Sequence, residues 1–170
     1  MEFFELIRAR YSVRAYKPDP VEEEKLRRVL EAARLAPTAA NHQPFQLIVI
    51  HTAGCEPELR RIYPRPWFTQ APLIVCICGV PADGWVRVDG KNYTDVDAAI
   101  AMDHLVLAAT DLGLGTCWIA AFNPAAAREV LGLPEGLEPV ILTPLGYAAD
   151  GSKPKAKERR PLSDLVRDER

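Results

Sequence analysis

Phe3, Leu6 and Ile7 recur at helical spacing and predict a short helix over 2–8. Asp19-Pro20 then reads as an N-cap followed by proline at the first helical position, with Glu22, Glu23 and Glu24 favourable near the positive helix end. Leu26, Val29, Leu30 and Ala33 continue this amphipathic helix, which has to stop before Pro37. A polar loop over 38–44 leads into Phe45-Gln46-Leu47-Ile48-Val49-Ile50, an apolar strand. Leu73 to Cys78 is a second, with a short helix around Glu56 to Ile62 between them.

Thr94 with Asp97 has the form of a capping box and opens the longest helix, which runs to Leu112 with a core stripe of Ile100, His104, Leu107 and Ala108. Gly113 closes it. Residues 115–121 are expected as a third strand, Asn123-Pro124 starts a short helix closed by Gly132, and 139–145 forms a fourth strand. The tail from Asp150 is rich in Lys and Arg and ends in a helical turn. Helices and strands mix without strict βαβ repetition, which favours an α+β sheet flanked by helices over a doubly wound fold. No repeat or linker divides the chain, so 1–170 is expected to form one domain.

Length and composition narrow the class. At 170 residues, 48% hydrophobic and 26% charged, the chain is of globular rather than disordered or fibrous type. A net charge of −2 argues against a strongly basic nucleic-acid binder. Cys55, Cys76, Cys78 and Cys117 contain no C-x-x-C pair, and with only three histidines they form neither a disulfide framework nor a zinc site. Cys76 and Cys78 share one strand face and read as small buried hydrophobes. The start lacks a signal-peptide pattern and no apolar run approaches the ~20 residues of a membrane span, so a reducing cytoplasm is expected.

Several kinds of chemistry are excluded by motif. Gly113-Leu114-Gly115 follows a helix and is the wrong context for a dinucleotide fingerprint, and there is no Walker loop, H-E-x-x-H or G-x-S-x-G. Asp97 and Asp103 are six apart on one helix and read as solvated carboxylates rather than metal ligands. Charge, however, is unevenly spread. Arg8, Arg10, Arg14 and Lys17 form one cationic segment, and Lys153, Lys155, Lys157, Arg159 and Arg160 another, against Glu158 alone. The two could meet around one phosphate, with Ser12 adding a hydroxyl, or both could be solvated. The stretch Ala36 to Phe45 offers small residues plus the amides of Asn41 and Gln43, which suit the polar edge of a flat heterocycle. Its residues equally suit an ordinary helix-to-strand loop, with His42 exposed.

Three elements together resemble the FMN-dependent nitroreductase family: Arg10-Tyr11-Ser12-Val13-Arg14, Pro37-Thr38-Ala39-Ala40-Asn41-His42-Gln43-Pro44, and Leu112 to Ile119. A fourth, Lys157-Glu158-Arg159-Arg160-Pro161-Leu162, is similar to the family's late basic segment. All four stand in family order and cover nearly the whole chain. The resemblance implies a mixed, mostly antiparallel sheet flanked by helices in an intertwined homodimer with two interface sites. It places Arg10, Tyr11 and Ser12 at the FMN phosphate, with Lys157 and Arg159 closing over it. Arg14 corresponds to the basic residue that reaches the ribityl chain and the N1/O2 side of the ring, where positive charge favours reduction.

Pro37, Thr38, Ala39, Asn41 and Gln43 correspond to the loop that holds the flavin's polar edge from the partner subunit. Ile119, Ala120 and Ala121 match the backbone that approaches N5. Many members carry Glu-Gly where this chain has Ala120-Ala121, which keeps backbone donation and loses the Glu side chain. The loop 81–93 stands where larger members have a helical excursion, and Trp85 or Tyr93 could wall the pocket or pack the dimer. The implied activity is hydride transfer from NADH or NADPH to FMN, then reduction of a small-molecule acceptor such as a nitroaromatic, quinone or flavin. Neither nucleic acid nor membrane is implied as a partner. A specialised enzyme of the same superfamily, for flavin breakdown or reductive dehalogenation, and a non-catalytic FMN-binding protein are the alternatives. No residue is assigned as catalytic acid or base, and none as a metal ligand.

Overall fold

A computed structural model describes residues 1–154 and 156–168. Its elements are, in chain order, α1 (Phe3–Ala9), α2 (Glu23–Arg34), β1 (Phe45–His51), α3 (Glu56–Ile62), β2 (Leu73–Gly79), α4 (Thr94–Asp111), β3 (Gly115–Thr116), α5 (Pro124–Val130), β4 (Glu138–Gly146) and α6 (Leu162–Leu165). The strands form one sheet in the order β1-β2-β4-β3, every neighbouring pair antiparallel. Among the described residues one isolated bridge, Ser12 to Thr116, is parallel and adds the mixed character.

Two apolar layers cover the sheet. Leu73, Val75 and Ile77 of β2 point to α2 and α4, where they meet Val29, Ala33, Ala101, Met102 and Leu105. Ile74, Cys76 and Cys78 point the other way, to Leu59 and Ile62 of α3 and Ala126 and Ala127 of α5. That alternation is the period-2 geometry of a strand, and burial on both faces explains why β2 is apolar throughout. The two thiols lie 3.5 Å apart within this core.

Five local expectations are corrected. Asp19 does not cap α2; the helix begins three residues after Pro20, at Glu23, with Glu22 at the N-cap making no side-chain cap. The Glu22 carboxylate instead accepts from Tyr147 Oη at 2.6 Å, and Lys25 Nζ donates to the same phenol oxygen at 2.5 Å. Thr94 and Asp97 do not form a capping box: Tyr93 is the N-cap, and Asn92 Oδ1 accepts from the Thr94 N–H at 2.8 Å. Asp97 is not solvated but 1% exposed, whereas Asp103 is exposed. The stripe Ile100, His104, Leu107 and Ala108 is only half-buried; the flank in the core carries Ala98, Ala101, Met102, Leu105 and Ala109. Because α4 is apolar around most of its circumference, its sequence did not single out the inward flank.

The third strand is shorter than 115–121. Pairing continues in register from Thr116–Leu145 to the isolated bridge Ile119–Leu142 but fails between them. Residue 144 opposite Cys117 is proline, with no N–H to give, and the Cys117 N–H turns to Thr143 Oγ1 at 3.1 Å.

The start of α4 is wedged in place. A Cβ added at Gly79 would lie 2.5 Å from Thr94 Cγ2, so the end of β2 has room only for glycine against that side chain. Gly79→Ala is expected to lower stability by about 1–3 kcal/mol by displacing the first turn of α4, as read by urea denaturation.

Candidate functional site

The segment 10–14 is built as an extra strand beside the sheet. After α1 ends, the backbone extends, and the Val13 N–H donates to Thr116 O at 2.8 Å. Val13 is buried against Gly115, where a Cβ would fall 2.8 Å from Val13 Cγ2. Extended backbone sends Arg10, Ser12 and Arg14 to the side opposite Val13. Buried Tyr16 secures the end of the segment by donating from Oη to Val13 O at 2.9 Å.

Against this segment lies the tail, and between them is a cleft of about 400 Å³. Its walls are Arg10, Tyr11, Ser12, Arg14 and Ala15 on one side, and Ser152, Lys153, Ala156, Lys157, Glu158 and Arg159 on the other. Five cations thus face one acid. Among the described residues no ion pair involves Arg10, Arg14, Lys157 or Arg159. Lys157 Nζ donates to Ile7 O at 3.1 Å and also to Arg8 O, closing the tail onto the negative end of α1. Desolvation first, then the positive charges of Arg10 and Arg159, push the Lys157 ammonium below its usual value. Such uncompensated like charge suits a multiply charged anion with several oxygens, phosphate above all. Arg160 does not line the cleft, and Lys155 lies outside the described residues.

Arg14 has a partner that no local pattern announced. Its guanidinium sits 6.0 Å from the ring centroid of Trp67, which meets Tyr63 edge to face at 5.5 Å. Trp67 belongs to a 3-10 turn over Pro66–Thr69, more than fifty residues away in sequence. A cation held over an aromatic face is restrained in direction without losing its charge.

The loop 37–43 is strained. Ala40, Asn41 and Gln43 have φ of 50, 58 and 52°, a left-handed conformation that costs non-glycine residues about 1 kcal/mol each. Hydrogen bonds hold it: Gln43 N–H to Thr38 Oγ1 at 3.0 Å, Gln43 Nε2 to Asn41 O at 3.1 Å, and Ala39 N–H to Asp97 Oδ1 at 2.9 Å. His42 is exposed, as expected, and its Nδ1 lies 2.8 Å from Asp83 O, which ties the loop to the 81–93 excursion. There Trp85 and Tyr93 stack on each other edge to face at 5.1 Å. Arg87 bridges Asp89 and Tyr93.

Of the expected site residues, the structure gathers Arg10, Tyr11, Ser12, Arg14, Lys157 and Arg159 around one cleft. Ile119, Ala120 and Ala121 follow β3, which borders the cleft through the Ser12–Thr116 bridge; Ile119 is buried while Ala120 and Ala121 are exposed. Pro37, Thr38, Ala39, Asn41 and Gln43 do not line it. Their anchor is the first turn of α4, whereas β3 leaves the other end. The helix between Asp97 and Leu112 accounts for about 22 Å at 1.5 Å per residue.

An antiparallel sheet with helices on both faces, a cationic cleft and a separate strained amide loop define an α+β fold with a candidate ligand site. The nitroreductase family model matches residues 7–67 and 55–147, and the chain belongs to this family. A nitroreductase family protein from Clostridium difficile 630 superimposes with a TM-score of 0.88 at 41% identity, over 98% of this chain and 97% of that one. An FMN-dependent nitroreductase from C. difficile R20291 superimposes at 0.83 with 26% identity, over 99% of each. The FMN reductase [NAD(P)H] of Bacillus subtilis is 28% identical over 86% of this chain and 66% of its own.

Burial raises the Tyr16 phenol well above its usual value. An unfolded tyrosine ionises near pH 10, so the Tyr16 contribution is intact below that pH and is lost above it, where only the unfolded chain ionises. Tyr16→Phe is expected to cost about 1 kcal/mol near neutrality and to lose less stability than wild type as pH rises through 10. Urea midpoints across that range measure both effects.

Proposed function

We propose that this chain is an FMN-dependent NAD(P)H oxidoreductase that acts as a homodimer in the cytoplasm, with residues 1–170 as one FMN-binding domain. The carrying observation is the cleft at Arg10, Ser12, Lys157 and Arg159, whose cations have no acidic partner among the described residues and fit a phosphate monoester. Arg10 and Arg159 present planar forks to its oxygens, Ser12 adds a hydroxyl, and Lys157 holds the tail closed. Arg14, steadied by Trp67, extends positive charge from the cleft towards the ring. Ile119, Ala120 and Ala121 supply backbone rather than side-chain groups, and the exposed alanines leave the ring face open to a flat acceptor.

The loop 37–43 would then serve the ligand of a second copy, since α4 separates it from the cleft of its own chain. Several apolar surfaces support such a pairing. Val96, Ala99 and Ile100 on the outer flank of α4 line an open groove of about 460 Å³, and Phe3, Phe4, Leu162 and Leu165 are exposed. When bound, FMN supplies the redox chemistry, accepting hydride from NADH or NADPH and reducing a nitroaromatic, quinone or flavin. The protein's share is position and charge, with no side chain assigned to proton transfer. No helix among the described residues is long and apolar enough to cross a membrane.

The purified protein is expected to be yellow, to release flavin on denaturation, and to bleach anaerobically with NADH or NADPH. Arg10→Ala is expected to weaken FMN at least tenfold, the low end of ~1.5–3 kcal/mol for a charged hydrogen bond. A colourless protein that does not take up FMN would sink the reading; unchanged affinity in Arg10→Ala would remove the assigned phosphate contact.

A further inference from the structure

Asp97 is a buried carboxylate, and one of its two oxygens has no partner among the described residues. Oδ1 accepts from the Ala39 N–H at 2.9 Å, while Oδ2 is buried with no partner among the described residues. Its neighbour one turn back, Thr94, likewise leaves Oγ1 buried and unpartnered. Asp97 does not cap its own helix, because Asn92 already satisfies the Thr94 amide. A buried carboxylate with so few bonds is a poor stabilising device, since desolvation exceeds what one hydrogen bond returns. The first turn of α4 supplies no second partner for this carboxylate among the described residues. The one bond it makes enters the loop immediately before three left-handed, non-glycine residues.

We infer that Asp97 is a positioning residue, whose carboxylate clamps the Ala39 amide so that the strained loop presents Asn41 and Gln43 to the flavin. This rests on the reading of 37–43 as the flavin-edge loop. Asp97 adjoins Val96, which lies on the helix flank assigned to the second copy. One turn of α4 therefore fixes the loop of its own chain and the surface against which the partner's site is completed. The clamp acts through backbone geometry, so anything that lets the loop reach the left-handed region unaided should make Asp97 less necessary. Ala40, at φ 50° and exposed, is the place to provide that freedom, because glycine adopts positive φ without penalty.

The test compares wild type, Asp97→Ala, Asp97→Asn, Ala40→Gly and both Asp97 variants combined with Ala40→Gly. Two quantities are measured: FMN dissociation constant by fluorescence quenching, and hydrogen exchange of the Ala39 amide in flavin-free protein. Asp97→Ala is expected to weaken FMN tenfold or more and to speed Ala39 exchange by a similar factor. Asp97→Asn keeps a neutral oxygen acceptor and should lose about threefold, because charge-assisted bonds are roughly twice as strong as neutral ones. With Gly at 40 the penalty of either Asp97 change should shrink by at least half on a logarithmic scale. A defect in helix packing alone would not be relieved in this way. If Asp97→Ala does not fold, Asp97→Asn with and without Ala40→Gly carries the same comparison. Wild-type affinity and exchange in the Asp97 variants that fold, or a penalty untouched by Ala40→Gly, would overturn the proposal. Wild-type protein that binds no FMN would instead overturn the site reading on which it rests.

Discussion

The helix α4 is the constraint on which the remaining structure depends. One flank closes the core against β2 through Ala98, Ala101, Met102 and Leu105. The opposite flank stays apolar and half open at Val96, Ala99 and Ile100. Its two ends hold different halves of the candidate site: Asp97 in the first turn grips the loop 37–43, and Gly113 turns the chain into β3 beside Ser12. A ligand that needs both halves cannot find them in one chain at that separation, and the apolar flank is where a second copy would restore them. The fold and the geometry of the candidate site thus both depend on one helix.

Elements with local causes were legible in the sequence. The helix over 56–62 and the strand from Leu73 agree with the structure to within a residue, because period and bounding prolines act within a few positions. The failures have distant causes. Pro144 lies almost thirty residues after Cys117, yet it decides where pairing with β3 fails. Tyr147 draws the Glu22 carboxylate away from a capping role across more than a hundred residues. In α4, apolar side chains all round erased the contrast that normally marks the buried face.

The same division holds at the candidate site. Clustered like charge marks two cationic segments in the sequence, the resemblance to the nitroreductase family singles out Arg10, Ser12, Lys157 and Arg159 within and beside them, and the structure brings these around one cleft. What holds them there was not visible. Trp67 beneath Arg14, Tyr16 beneath Val13 and the Ile7 carbonyl accepting from Lys157 are all tertiary contacts. The loop shows the limit most sharply. The amides of Asn41 and Gln43 are visible in the sequence, but their left-handed backbone and its support by Asp97, which reads locally as a solvated carboxylate, belong to the fold alone.

Strain and like-charge crowding have a common logic here. In the cleft, desolvation first and then the charges of Arg10 and Arg159 lower the Lys157 pKa, and the loop keeps three residues in an unfavourable backbone region. Each arrangement costs stability in the free protein, and a bound ligand would supply what is missing: negative charge in the first, partners for exposed amides in the second. A protein under selection for stability alone would have placed an acid between the cations and glycine at 40. The core can bear these costs because β2 is buried on both faces and fully buried side chains such as Phe68, Leu105 and Leu142 contribute about 1.5–3 kcal/mol each. The unfavourable features thus sit at the rim of a well-filled interior, and they are concentrated at the candidate site.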